Sequence, residues 1–204
     1  MNLILLLIIF SFILAASELL KLIFKLSSEV TRRLSHASAA VIASFLPIQT
    51  DLRTTLFLGL VFTVLMIVSK RNKLLSSIHD VKRESIGAVL FPIGIAVSAL
   101  LFWETPKIFQ IACLVLGLSD SLAGFAGSMF GKWKYNFTGL KTVEGSLIFG
   151  ITTFFILLIS GNNPKIISVV IVSCVLMLTE GLSGGGWDNL TVPVITGFLL
   201  KTFL

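Results

Sequence analysis

The sequence predicts an all-α fold: a polytopic integral membrane bundle of about eight transmembrane helices, or about seven, forming a single domain over residues 1–204. Three observations predict it. The chain is 55% hydrophobic and only 13% charged, with a mean hydropathy of +1.01, too little polar surface to coat a water-soluble domain. Apolar runs recur from one end to the other at lengths suited to a bilayer core of roughly 30 Å. The basic residues gather between alternate runs rather than spreading evenly.

Taken in order, the runs cover roughly residues 2–20, 36–50, 53–69, 86–103, 107–128, 145–160, 165–182 and 190–204. The first ends in "ILAAS", as a secretory signal does, yet lacks a basic segment ahead of it, so it reads as an uncleaved helix. The second and last are short for a full crossing and need snorkelling ends or a thinned bilayer. The fifth carries Cys113 and the seventh Cys174; neither has metal-site or disulfide spacing, and both read as small packed apolar residues. His36 and His79 are too isolated for a metal site.

Charge sets the orientation. With the N-terminus outside, every Lys and Arg falls in an inner loop except Arg53, Lys107, Lys165 and Lys201, so eight crossings with both termini outside obey the positive-inside rule. The net charge of +6 is then a topology signal and an anchor for anionic headgroups, with no nucleic acid implied. On the same reading Glu29, Asp80, Glu84, Asp120, Glu144, Glu180 and Asp188 lie at or near the inner face, and only Asp51 and Glu104 lie at outer ends. A transporter would place such groups near the midplane. Here the chemistry belongs at the cytoplasmic face.

Five polar stretches stand at inner helix ends: "RRLSHAS" (32–38), "KRES" (82–85), "SDSLAGFAG" (119–127), "KTVEGS" (141–146) and "EGLSGGGWDN" (180–189). Together they supply carboxylates able to hold Mg²⁺, cations able to balance phosphate, and flexible backbone, the parts a phosphoryl-transfer site needs. Close helix packing would account for Gly127 and Gly131, and topology anchoring for Arg32 and Arg33. Neither accounts for Asp120, an acid that costs about 2.5–3.5 kcal/mol at a helix centre and less near the interface. Nucleotide motifs are missing: "TGLKT" lacks the glycines of a phosphate-binding loop. Lys141 and Glu144, three residues apart, would share a face if a helix began there.

The ordered set "SDSLAGFAGSMFGK", "KTVEGS" and a late Glu followed by "DNLTVP", concentrated in residues 119–193, resembles the CTP-dependent lipid-alcohol kinases. These include dolichol kinase, phytol kinase and the CTP-using diacylglycerol kinases, and are distantly similar to the phosphatidate cytidylyltransferases. Ser119 stands where most members have Gly. The resemblance implies Mg²⁺-assisted transfer of the γ-phosphate of CTP to the hydroxyl of a membrane lipid. It implies phosphate contacts from Lys141 and from Arg32 or Arg33, and metal contacts from Asp120, Glu144 and Asp188. Asp120 or Glu180 would orient or deprotonate the hydroxyl, with Lys141 the third catalytic group. Gly124, Gly127 and Gly145 would admit phosphate or ribose to the backbone, and Ser121, Thr142 and Asn189 would complete the nucleotide site.

Two other classes compete. CDP-lipid synthesis by a phosphatidate cytidylyltransferase shares the first two motifs but calls for basic residues near the C-terminus, and none lies between Lys165 and Lys201. A small transporter without catalysis is the other. The acceptor among polyprenol, phytol and diacylglycerol is not legible, nor is the choice between monomer and homo-oligomer.

Overall fold

In the computed structural model, which describes residues 2–81, 85–160 and 164–203, the chain is almost wholly helical. The elements are α1 (Leu3–Phe24), α2 (Ser28–Ser44), α3 (Leu46–Gln49), α4 (Leu52–Arg71), α5 (Ser76–His79), α6 (Gly87–Phe102), α7 (Pro106–Leu114), a π-helical turn (Val115–Ser119), α8 (Asp120–Phe130), the strands β1 (Lys134–Asn136) and β2 (Leu140–Thr142), α9 (Val143–Ser160), α10 (Ile166–Leu182) and α11 (Asp188–Phe203). Among the described residues four helices are long and apolar enough to cross a membrane: α1, α4, the continuous Pro106–Phe130 unit, and α9. The helices α6 and α10 are apolar but shorter. Large apolar side chains such as Phe12, Ile159 and Ile167 face outward, as a helical membrane protein requires. "KRES" falls largely on residues 82–84, outside the described residues.

The helix starts follow from local chemistry. Asp51 caps α4 by accepting from the Thr54 amide at 2.8 Å, and Ser27 caps α2 by accepting from the Val30 amide. Pro106 opens α7, where its missing N–H costs nothing. The Pro106–Phe130 unit is the centre of the molecule, 56% buried over its apolar window against 17% for α1. It separates two cores. Phe109, Cys113 and Leu116 pack with α1, α2, α4 and α6, whereas Ile111, Val115 and Ala123 pack with α9, α10 and α11. Backbones meet closely at small residues: a Cβ on Gly94 of α6 would stand 2.0 Å from the Asn189 carbonyl oxygen of α11.

Three sequence expectations need correction. The second apolar run is not a span beginning at residue 36; its helix starts at Ser28 and carries "RRLSHAS" in its interior, with Thr31, Arg32, Ser35 and His36 all buried. Hydropathy missed this start because these polar groups face other helices, Thr31 donating to the Ser77 carbonyl of α5 at 2.7 Å. The stretch after α8 is an antiparallel hairpin pairing Lys134 with Thr142, Tyr135 with Lys141 and Asn136 with Leu140. Lys141 therefore sits on β2, not on a helix face with Glu144. Of the two cysteines, Cys113 is buried and Cys174 is exposed.

Candidate functional site

Asp120 follows directly on the π turn of the central helix. Such wide turns add a residue to the helical circuit and are frequent at functional sites. The turn is held by Thr153 of α9, whose hydroxyl donates to Ser119 Oγ at 2.9 Å, and α2 is clasped alongside. Ser121 Oγ donates to the Arg33 carbonyl at 3.0 Å, and Arg33 Nη1 donates to the Asp120 carbonyl at 3.4 Å. The Arg33 guanidinium also pairs with Glu29 one turn back. It lies flat on Gly124, where a Cβ would be 1.4 Å from Nη1.

Glu180 comes from the last turns of α10 and Asp188 from the first turn of α11. The chain reverses between them through Gly185 (φ 64°) and Gly186 (φ 97°), left-handed positions that explain the glycines of "SGGGWDN". One oxygen from each of Asp120, Glu180 and Asp188 lies within 4.8 Å of the others. Lys141 reaches the same point from β2. Its ammonium donates to the Glu180 carbonyl and carboxylate and to Asp188 Oδ2 at 3.3 Å, with its side chain only 11% exposed. Burial would lower its pKa, but Asp188 and Glu180 outweigh that and hold it above the usual lysine value.

These groups line one cavity of about 220 Å³. Arg33, Asp120, Lys141, Glu180 and Asp188 supply its charge, and Gly124, Gly127, Gly145 and Thr142 form a wall without bulky side chains. The structure thus brings together most of the residues marked from sequence, and places four elsewhere. Glu144 turns away to accept from the Lys132 and Trp133 amides at 2.9 and 3.2 Å, closing the turn before β1. Arg32, one residue from Arg33, faces a different cavity, because successive helical side chains diverge. Ser121 is buried on the Arg33 carbonyl, and Asn189 donates to the Gly186 carbonyl at 3.2 Å, both holding backbone rather than lining the cavity.

Three further residues belong to the site. Lys134 adds a cation to the cavity wall. Ser146 donates to the second Glu180 oxygen at 3.3 Å and is itself bonded to the hydroxyl of Tyr135, the chain's single tyrosine. Ser146 was within reach of the sequence as the last residue of "KTVEGS". Tyr135 was not, because only the hairpin register carries it back over α9.

The donor set is all oxygen and hard, the kind that suits Mg²⁺ or Ca²⁺ rather than thiophilic metals. Three converging carboxylates against one ammonium leave negative charge that a divalent cation would neutralise, and Arg33 and Lys134 stand a short way along the same cavity for an anionic ligand. Compared with protein-family models, curated proteins and solved structures, the chain finds no match.

Proposed function

We propose that the protein is a phosphotransferase that moves the γ-phosphate of CTP to the hydroxyl of a membrane lipid alcohol, of polyprenol, phytol or diacylglycerol type, with Mg²⁺ held by Asp120, Glu180 and Asp188. The observation that carries this reading is the convergence of those three carboxylates with Lys141 in a cavity that also presents Arg33 and a glycine wall. Magnesium would supply charge neutralisation at the phosphates. Everything else falls to the chain. Arg33, Lys134 and Lys141 balance the phosphate oxygens and the charge that grows on them during transfer. Gly124 leaves the room in which the Arg33 guanidinium lies beside the phosphates, and Gly127 and Gly145 bring α8 and α9 close together around Thr142. A carboxylate of the cluster, Asp120 or Glu180, accepts the hydroxyl proton as the lipid oxygen bonds to phosphorus and the bond from phosphorus to the bridging oxygen of CDP breaks. The choice of CTP over ATP comes from the sequence resemblance.

The topology belongs to the same proposal: eight crossings, both termini outside, and the cavity at the cytoplasmic ends, where nucleotide and Mg²⁺ are available and the lipid hydroxyl need not leave the interface. The distribution of basic residues supports it.

The experiment is an acceptor panel. Purified protein is given γ-labelled CTP or ATP with Mg²⁺ and each of a polyprenol, phytol, farnesol and diacylglycerol, and label is counted in the extracted lipid. The reading expects CTP-dependent label with at least one acceptor. No label with any of them removes it.

A further inference from the structure

On the other side of α2 from the carboxylates lies a second, larger cavity of about 660 Å³. It is formed by the inner ends of α4 and α6, by α5, and by the glycine turn before α11. Its polar wall carries two cations, Arg32 and Lys70, with His79 beside them, and no carboxylate lines it among the described residues. The Arg32 side chain is 7% exposed and bonds Glu29 at 3.4 Å, so the guanidinium is fixed in place rather than trailing in solvent. Lys70 Nζ is steadied by the Ser85 carbonyl at 2.9 Å, and His79 Nε2 by Ser69 Oγ at 2.8 Å. The imidazole reports the local field. Burial and then the charges of Lys70 and Arg32 hold its pKa below the ordinary histidine value, although Glu18 acts against them.

The opposite wall is apolar. Ile78 and Ala88 line this cavity and also line an apolar one of about 80 Å³ between α1, α2, α4 and α6, with Phe91, Leu58 and Phe62 around it. A cationic chamber therefore backs directly onto hydrocarbon-like space. Trp187, half exposed at the chamber's mouth, is the residue type that settles at headgroup level.

We propose that this chamber binds the phosphate headgroup of an anionic membrane phospholipid, with Arg32 and Lys70 on the phosphate and the first methylenes of the lipid against Ile78 and Ala88. A free phosphate would use the cations but not the apolar wall; a neutral lipid would use the wall but leave the cations unmatched. Basic chambers between membrane helices at the inner surface have this combination of needs. The inference does not depend on the reaction proposed above, since Arg32, Lys70, Ile78 and Ala88 do not line the carboxylate cavity.

Native mass spectrometry of the full chain in detergent, with phosphatidate and phosphatidylcholine of equal chain length in competition, tests it. One phosphatidate per chain is expected in preference to phosphatidylcholine. Lys70→Gln should weaken phosphatidate about fivefold, the factor matching ~1 kcal/mol per basic residue near a membrane surface, and Lys70→Arg should keep it. Lys70 is exposed, so these variants fold. Lys134→Gln, an exposed change in the carboxylate cavity, should bind phosphatidate as the parent does. Equal binding of the two lipids, or no change in Lys70→Gln, overturns the proposal. Displacement of the lipid by inorganic phosphate at similar concentration makes this a free-phosphate site and overturns the lipid assignment. Loss of phosphatidate in Lys134→Gln puts the lipid in the carboxylate cavity and overturns it as well.

Discussion

Replacing Lys141 by Met removes one positive charge from the carboxylate cluster with little change of volume. The side chains involved are 11% exposed for Lys141, 8% for Glu180 and 14% for Asp188, so little water is available to take over its role. Removing one partner of a buried pair leaves an uncompensated charge and costs about 3–5 kcal/mol. Three carboxylate oxygens within 4.8 Å then face one another without their closest cation, and a proton taken up by one of them moderates the loss. A divalent cation at the same point should reverse most of this: at a hundredfold excess over its dissociation constant, binding to the folded state alone returns about 2.7 kcal/mol. Thermal unfolding in detergent, followed by tryptophan fluorescence with and without Mg²⁺, reads both effects. The variant should melt well below the parent without Mg²⁺ and gain more from Mg²⁺ than the parent does. A variant that melts with the parent would refute the buried-pair reasoning. One that melts lower but gains nothing from Mg²⁺ would refute the metal assignment.

Gly124→Ala puts a methyl where the Arg33 guanidinium rests, so the arginine must swing away. Because Ala is about 0.8–1 kcal/mol better than Gly in a helix, the variant should melt within a few degrees of the parent and yet lose about 10²-fold or more in transfer rate. Tyr135→Phe removes the hydroxyl that holds Ser146 against Glu180; kcat should fall several-fold while KM for the nucleotide holds, whereas equal loss in both would make Tyr135 a binding residue. In pH titrations of stability, the raised pKa of Lys141 means that its stabilisation is complete below about 10.4, the unfolded lysine value, and is lost as pH rises through the higher folded value. Lys141→Met should lack that alkaline loss, and an identical alkaline profile in parent and variant would contradict it.

The apolar runs announced the helices because lipid-facing and core-facing residues are both apolar here. The signal failed where polar side chains face protein. The start of α2 was misread since Thr31, Arg32, Ser35 and His36 are buried against other helices, and a hydropathy window cannot tell that from a loop. Asp120, Glu180 and Asp188 were legible as acids in small-residue and glycine-containing stretches of an apolar chain, where an ionised group is costly. Their mutual approach was not, since it depends on how α8, α10 and α11 pack. Glu144 was legible as an acid but not in its role: its carboxylate closes a turn, a task set by the hairpin that short strands of ordinary composition do not advertise. The same hairpin turns Lys141 from an ordinary surface pair into the hub of the cluster.

The wide turn at residues 115–119 has a consequence for how the molecule could change over time. One residue more or fewer in a helix turns everything beyond it by about 100°. Upstream, the central helix must keep Phe109 and Cys113 in one core and Ile111 in the other; downstream, Asp120 and Gly124 must face the cavity. A regular helix through this stretch would keep the packing of its first half and rotate the acid into the bundle wall. The half before the turn is given to core packing, while the half beyond it serves the cavity with Ala123 still packed into the core, the two joined by a single-residue phase shift. A one-residue deletion between Leu114 and Asp120 would spare the apolar contacts ahead of it and still unmake the site.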